Sequence, residues 1–256
     1  MEEEKLPITS HLEELRGRLV KCALAVAVGF AASYAFSGWL FDFLAAPMIK
    51  VMPKGSKLIF TSPPEAFFTY MKVAFFAGIV VSAPVIFYQL WKFIMPGLYE
   101  NERKLVIPFV LVATFFFFAG ASFGFFVVLP VGFQFFVGFA SDSIVAMPSM
   151  REYLNFTMKF LLGFGCAFEL PVVMYFLARM GLVSAPTLRK NRKYAFLIVA
   201  VVAAVLTPGP DVFSQCMLGG PLYLLYEISI WVTALVGKKK ALAKEATEDE
   251  PAGPAA

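Results

Sequence analysis

Long apolar runs separated by short polar stretches dominate the hydrophobic pattern of this chain. They lie near residues 19–41, 67–95, 105–138, 155–180, 194–208 and 212–236. A helix needs roughly 20 apolar residues to cross a hydrocarbon core of about 30 Å. The pattern therefore predicts an all-α membrane protein of six spanning helices in one bundle, since each segment in lipid must satisfy its own backbone hydrogen bonds.

The third and sixth spans are expected to be irregular. The third is longer than a bilayer needs, and Pro130 predicts a bend near its outer end because proline removes a backbone donor. Gly219-Gly220-Pro221 predicts an interruption of the sixth span. The stretch 42–66, which holds four prolines, is expected to be a loop that caps the outer side.

The fifth and sixth spans are expected to form a short hairpin. The run from Tyr194 to Thr207 gives only about 21 Å of helix at 1.5 Å per residue. A short hairpin beside long helices must thin the bilayer or keep its tip below the outer surface. Asp211 and Gln215 are therefore expected to lie deeper than their sequence positions suggest.

Basic residues predict the direction of the spans. With an inner N-terminus, 16 of the 22 Lys and Arg residues fall on the inner side and 6 on the outer side. Inner loops carry the excess of Lys and Arg in membrane proteins, so both termini are predicted to be cytoplasmic. The acidic start lacks the features of a cleavable signal or a transit peptide, which favours a bacterial plasma (inner) membrane.

Composition narrows the chemistry. Hydrophobic residues make up 59% of the 256 residues and charged residues 16%, whereas soluble domains average about 25% charged residues. The single histidine and three separated cysteines form no metal-ligand or disulfide pattern. We therefore predict no metal, no cofactor, no enzymatic activity and no nucleic-acid partner.

Two segments flank a six-helix domain that is predicted over residues 19–237. Ser10 and Glu13 have the spacing of a helix-capping box, and leucines follow at helical spacing. Residues 1–18 are therefore predicted to be a cytoplasmic amphipathic segment lying on the membrane. Residues 238–256, first basic and then acidic, are predicted to be a disordered tail.

One acid interrupts the fourth span. Glu169 is the only acidic residue in a long apolar run, and Pro171 follows two residues later. A charge at the centre of lipid costs roughly 2.5–3.5 kcal/mol on insertion scales, so it usually faces protein or a watery cavity. Two interpretations are open. In the first, Glu169 is a protonated carboxyl that only supports assembly. In the second, it forms a functional polar patch with Gln215.

Two small acidic clusters lie on the otherwise basic inner face. Glu13 and Glu14 precede the first span, and Glu100 and Glu102 lie between spans two and three. The simpler interpretation is local pairing, such as Glu14 with Arg18 at i,i+4. If the first spans are neighbours, the acids can instead converge and bind guanidinium groups as bidentate ligands.

Five motifs occur in order along the chain. They are Ser10-His11-Leu12-Glu13-Glu14-Leu15-Arg16, the stretch from Pro84 to Leu98, Glu102-Arg103, Phe168-Glu169-Leu170-Pro171, and the stretch from Leu206 to Gln215. Together they resemble the TatC family, the core subunit of the twin-arginine protein translocase. The resemblance covers the chain to about Gly237.

The resemblance implies a fold, a role and partners. TatC proteins have six helices, cytoplasmic termini and a glove-like concave shape. They bind twin-arginine signal peptides of folded precursors and assemble with TatB-like and TatA-like single-span proteins, drawing on the proton-motive force. This chain is thus expected to be a signal-peptide receptor and translocase scaffold in contact with lipid, with self-association inside the receptor complex.

The resemblance also assigns residues. The signal-peptide site is expected to comprise Glu14, Glu102, Leu15, Arg16 and Arg103, with the two glutamates binding the paired arginines; Glu13 and Glu100 have no assigned role. The intramembrane polar site is expected to comprise Glu169, Gln215 and Asp211. Contact with a partner helix is expected at Leu206, Thr207 and Phe213.

Two rival functions use the same central acid. A proton-coupled small-solute transporter would use Glu169 as its proton site, but it needs polar substrate ligands at that depth on several spans, and the sequence lacks them. An assembly scaffold for other membrane proteins would use Glu169 as a lock. Export of a folded reporter bearing a twin-arginine leader separates the three functions.

Overall fold

The computed structural model describes the backbone of residues 8–53, 56–94, 106–140, 147–207 and 211–248. Within these ranges the helices are α1 Ile8–Tyr34, α2 Ser37–Val51, α3 Pro63–Ile94, α4 Val106–Phe123, α5 Leu129–Val137, α6 Met150–Phe168, α7 Leu170–Arg179, α8 Ala185–Lys190, α9 Arg192–Leu206 and α10 Val212–Glu248. The only β pairing in this described part is an isolated bridge between Ile59 and Ser149. The predicted all-α fold is confirmed.

The number of spans follows only partly from the helix lengths. In the described ranges, four helices or joined helices are long and apolar enough to cross a membrane, and the bent pair α1–α2 could supply a fifth. Helix α9 has only 15 residues, in line with the short fifth span expected from the sequence. The count of six remains a prediction.

The first predicted span and the loop after it were wrong in their boundaries. Helix α1 ends at Tyr34, and α2 leaves it at an angle of 88°. The apolar residues at the start of α2 continue the hydrophobic run of α1, so hydropathy could not detect the turn. Part of the expected loop 42–66 is therefore helical, and α2 buries Leu44, Ala45 and Met48.

The described part of the predicted N-terminal segment is continuous with the helix that follows it, and its cytoplasmic position on the membrane stays a prediction. Helix α1 begins at Ile8, before Ser10, and runs without a break into the apolar residues. No proline occurs in this stretch, and a side chain at Gly17 would meet no atom within 4 Å. Nothing in the local sequence therefore separates an amphipathic stub from the helix that follows it.

The irregularities of the third and sixth spans differ from expectation. A π-helical turn, Gly124–Val128, joins α4 to α5 immediately before Pro130, so the predicted distortion occurs one turn early. Helix α10 instead passes through Gly219-Gly220-Pro221 without interruption, since an apolar helix tolerates one missing donor. It continues to Glu248, so the backbone of residues 238–248 is helical where a disordered tail was expected.

The described helices group into two compact units, the first ending at Gly165 and the second beginning at Cys166. In the first unit, α1 and α3 touch backbone to backbone. A Cβ atom at Gly78 would lie 2.6 Å from the Phe30 nitrogen, and one at Gly29 would lie 2.8 Å from the Gly78 oxygen. The Ser82 hydroxyl donates to the Ala25 carbonyl at 2.8 Å. Small residues allow such close approach between membrane helices.

The second unit is built around α10. Leu188 of α8 packs with Tyr226 and Ile230 of α10, and the Tyr226 hydroxyl donates to the Leu188 carbonyl at 2.8 Å. Glu227 of α10 forms an ion pair with Arg192 of α9 at 2.6 Å. These contacts fix the start of α9 against the middle of α10.

Candidate functional sites

Glu14 lies on α1 and already holds a guanidinium group. The Nε atom of Arg18 donates to Glu14 Oε1 at 3.1 Å, and its Nη2 atom donates to the same oxygen. Hydrogen bonding from Arg18 lowers the pKa of Glu14 below its usual value. The carboxylate is therefore ionised at neutral pH, and the local pair expected at i,i+4 is present.

His11 connects this carboxylate to α3. Its Nδ1 atom lies 3.8 Å from Glu14 Oε2, and its ring stacks on Phe93 with centroids 4.4 Å apart. Phe93 is the second-last residue of α3, so Glu14 lies near the helix end that leads toward Glu102. His11 was not expected to have a role beyond the exclusion of a metal site, and its helical spacing from Glu14 was the available signal.

The other expected signal-peptide residues are only partly described. Leu15 is half-buried and Arg16 is exposed on α1. Glu102 and Arg103, as well as Glu100, lie outside the described residues. The convergence of Glu14 with Glu102 therefore stays a prediction.

Glu169 lies at the break between α6 and α7. Its amide donates to the Cys166 carbonyl at 3.1 Å, and its carbonyl accepts from Val173 at 2.8 Å. Pro171 has no N–H to donate to the helix ladder. The helix is interrupted here, although α3 and α10 continue through Pro84 and Pro221, and the side chain of Glu169 is half-buried at the interruption.

Gln215 links the two helices of the α9–α10 hairpin, and Asp211 caps the second of them. The Gln215 amide donates to the Ala200 carbonyl at 3.0 Å, and Ala200 lies near the middle of α9. Gln215 is therefore level with the middle of the short helix. Asp211 caps α10, since its Oδ1 atom accepts from the Ser214 amide at 2.7 Å.

The expected partner-contact residues flank an apolar surface. Leu206 and Thr207 are half-buried at the end of α9, and Phe213 is exposed at the start of α10. Helix α9 has only Ala203 fully buried. Its exposed face includes Leu197, Ile198, Val201 and Val205, whereas the Phe196 ring contacts Tyr223 of α10. This face is free to contact lipid or another apolar helix.

Comparison with known proteins identifies the family. The model of the family described as "Sec-independent protein translocase protein (TatC)" matches residues 10–221. The chain belongs to the TatC family. A TatC protein of Desulforapulum autotrophicum is 56% identical over 239 residues, covering 93% of this chain and 88% of the relative. The Escherichia coli K12 TatC protein is 40% identical over 237 residues, covering 92% of each.

Solved TatC structures share the fold. A crystal structure of a twin-arginine translocase receptor TatC superposes with a TM-score of 0.80 at 38% identity, covering 89% of this chain and 99% of that one. A second TatC crystal structure, in the detergent DDM, gives the same TM-score at 37% identity. The chain is thus a membrane-protein component of the twin-arginine translocase, which confirms the predicted function and disfavours both rival functions.

Proposed function

We propose that this TatC-family chain reads twin-arginine signal peptides at the cytoplasmic face of a bacterial inner membrane, with both termini inside. One observation carries the proposal. The Glu14 carboxylate binds a guanidinium through two nitrogen atoms beside the end of α3. A signal-peptide arginine would form the same pairing with the Glu14 carboxylate, either in place of Arg18 or beside it. Glu102 would bind the second arginine. Lysine cannot copy this pairing because its ammonium is a point charge.

Peptide binding to the purified protein tests this proposal. We expect Glu14→Gln to weaken binding of a twin-arginine peptide at least tenfold, and a twin-lysine peptide to bind poorly to the unaltered protein. Glu13→Gln is the matched control, because Glu13 is the adjacent acid and its side chain is exposed. Equal binding by the Glu14→Gln and Glu13→Gln proteins would refute the assignment.

We further propose that Glu169, Gln215 and Asp211 form the intramembrane polar site, and that Leu206, Thr207 and Phe213 contact a single-span TatB-like or TatA-like partner. The support is the exposed apolar face of α9, which is only 15 residues long and has one fully buried residue. Export of folded precursors, driven by the proton-motive force, would use this site after recognition.

Photo-crosslinking in membranes tests the partner contact. A photoreactive residue at Val205, which is 78% exposed, should capture a single-span partner. One at Leu235, also exposed but on the inner half of α10, serves as the control. Capture of lipid alone at Val205 would contradict the partner assignment.

A further inference from the structure

We propose that Lys72, Asn155 and Lys159 form a binding site for the phosphate of an anionic membrane lipid. The site lies between α3 and α6, in the leaflet at the N-terminal ends of these two helices. It shares no residue with the signal-peptide and intramembrane sites discussed above. All three residues belong to the first compact unit.

A buried carboxylate sets the alignment of the two helices at this end. Glu65 is only 4% exposed. Its Oε2 atom accepts from the Thr61 amide at 2.8 Å and from the Thr61 hydroxyl at 3.0 Å. Its Oε1 atom accepts from the Ser149 hydroxyl at 3.3 Å and the Arg151 amide at 3.4 Å. The start of α3 is thereby tied to the start of α6.

The proposed site lies about two helical turns further along. Lys72 follows Glu65 by seven residues and Asn155 follows Arg151 by four. Each therefore lies on the helix face at which the hydrogen bonds of Glu65 join α3 to α6. The Lys72 Nζ atom donates to Asn155 Oδ1 at 3.2 Å. Lys159 lies one turn beyond Asn155 on α6, and side chains at this spacing are neighbours.

The two lysine ammonium groups at this position favour an anionic ligand. Lys72 and Lys159 are both exposed, and they lie five and four residues inside the predicted spans that start at residues 67 and 155. Among the described residues, neither has a carboxylate within ion-pair distance; Glu152 is the acid on this face of α6, nearer the helix end. Lysine heads at such depth extend toward the interface, where lipid phosphates lie.

The donor set fits a phosphate better than two independent lysines would. Since Asn155 Oδ1 accepts from Lys72, its amide N–H groups remain to donate. With Lys159 one turn from Asn155, two ammonium groups and an amide would donate to one group with several acceptor oxygens. Basic pockets between membrane helices bind anionic head groups by this chemistry.

Lipid binding to the full-length, delipidated protein tests the proposal. We expect the double variant Lys72→Gln/Lys159→Gln to bind dioleoyl phosphatidylglycerol about 25-fold more weakly, at about fivefold per lysine. Lys72→Arg/Lys159→Arg should retain binding. The control is Lys50→Gln/Lys57→Gln, which removes two exposed charges near the same end and should change affinity less than twofold. Size-exclusion profiles and circular dichroism verify that each variant is folded.

Several results would overturn the assignment. One is an equal loss of affinity in the test and control variants. A second is that dioleoyl glycerol, which lacks phosphate, binds as well as phosphatidylglycerol. A third is that inorganic phosphate competes at the same concentration as the lipid. Capture of a protein partner instead of lipid by a photoreactive residue at position 159 would identify the ligand as a partner's acidic group.

Discussion

Two helix pairs of this TatC-family chain carry glycine at their contact, and they pack differently. Between α1 and α3, Cβ atoms at Gly29 or Gly78 would collide with backbone at 2.6–2.8 Å. Between α9 and α10, a Cβ at Gly219 would lie 3.7 Å from Val199 and 3.8 Å from Ala203, which is ordinary van der Waals contact. The contact between α1 and α3 has no space for a methyl group, whereas the contact between α9 and α10 has space for one.

The contrast follows from what each pair buries. Helix α3 buries nine residues, among them Glu65, Thr69 and Ser82, and α1, α2 and α4 pack against it. Helix α9 buries Ala203 alone. It contacts α10 through small side chains, the Gln215 amide, the Arg192–Glu227 ion pair and the rings of Phe196 and Tyr223. A stable framework and a surface left for other molecules are therefore provided by different helices.

The largest expected effect is at the closed contact. Gly78→Ala should destabilise the protein by about 3 kcal/mol, because the new methyl meets the Phe30 backbone, which cannot move as a side chain can. Thermal unfolding in detergent measures the change. Gly17→Ala, in α1 with no atom within 4 Å, is the control, and comparable Tm values for both variants would contradict the tight contact.

A smaller effect is expected from the hydrogen bond at the same crossing. Ser82→Ala removes the donor to the Ala25 carbonyl and should cost about 0.6–1 kcal/mol, the usual range for such bonds between membrane helices. The same unfolding assay applies. A loss beyond that of Gly78→Ala would show that polar contact, rather than close approach, holds the two helices together.

At the open contact we expect a change of opposite sign. Gly219→Ala should stabilise α10 by up to about 1 kcal/mol, because alanine is the better helix former and the methyl fits. Gly220→Ala, with nothing within 4 Å, should behave alike. Destabilisation by Gly219→Ala alone would mean that α9 and α10 pack more closely than described.

The smallest expected effect concerns the ion pair of the second unit. Arg192→Gln should cost a few tenths of a kcal/mol, since the Arg192 side chain is 47% exposed and water screens such pairs. Measured in low and high salt, the difference between the two proteins should shrink as salt screens the pair. A salt-independent loss above 1 kcal/mol would indicate a buried structural role for Glu227.

The sequence predicted the parts of this molecule that depend on local chemistry. The Glu14–Arg18 pair follows from helical spacing, and the shortness of α9 follows from the length of its apolar run. The 88° turn between α1 and α2 could not be read from hydropathy. Leu40 and Phe41 are apolar residues that suit a straight span as well as a second helix that turns away. The clamp at Glu65 was missed because its partners Ser149 and Arg151 lie more than 80 residues away in the sequence.

The continuous course of α10 was missed for a different reason. Gly219-Gly220-Pro221 is a strong breaker by propensity, yet tertiary contacts override propensity in a packed helix. Leu218 and Leu222 on either side of the glycines are buried, so packing holds the helix through the weak point. Such support is invisible until the neighbouring helices are known.

The π-helical turn at Gly124–Val128 sets the rotational phase of everything after it in that helix. One residue beyond regular α-helical spacing rotates the following side chains by about 100°, and this brings Phe133 against Tyr153, with ring centroids 5.1 Å apart. Deleting a single residue there would restore a regular helix and turn Phe133 away from its partner. The π-helical turn therefore determines which face of α5 packs against α6, and a change of one residue in its length would present a different face.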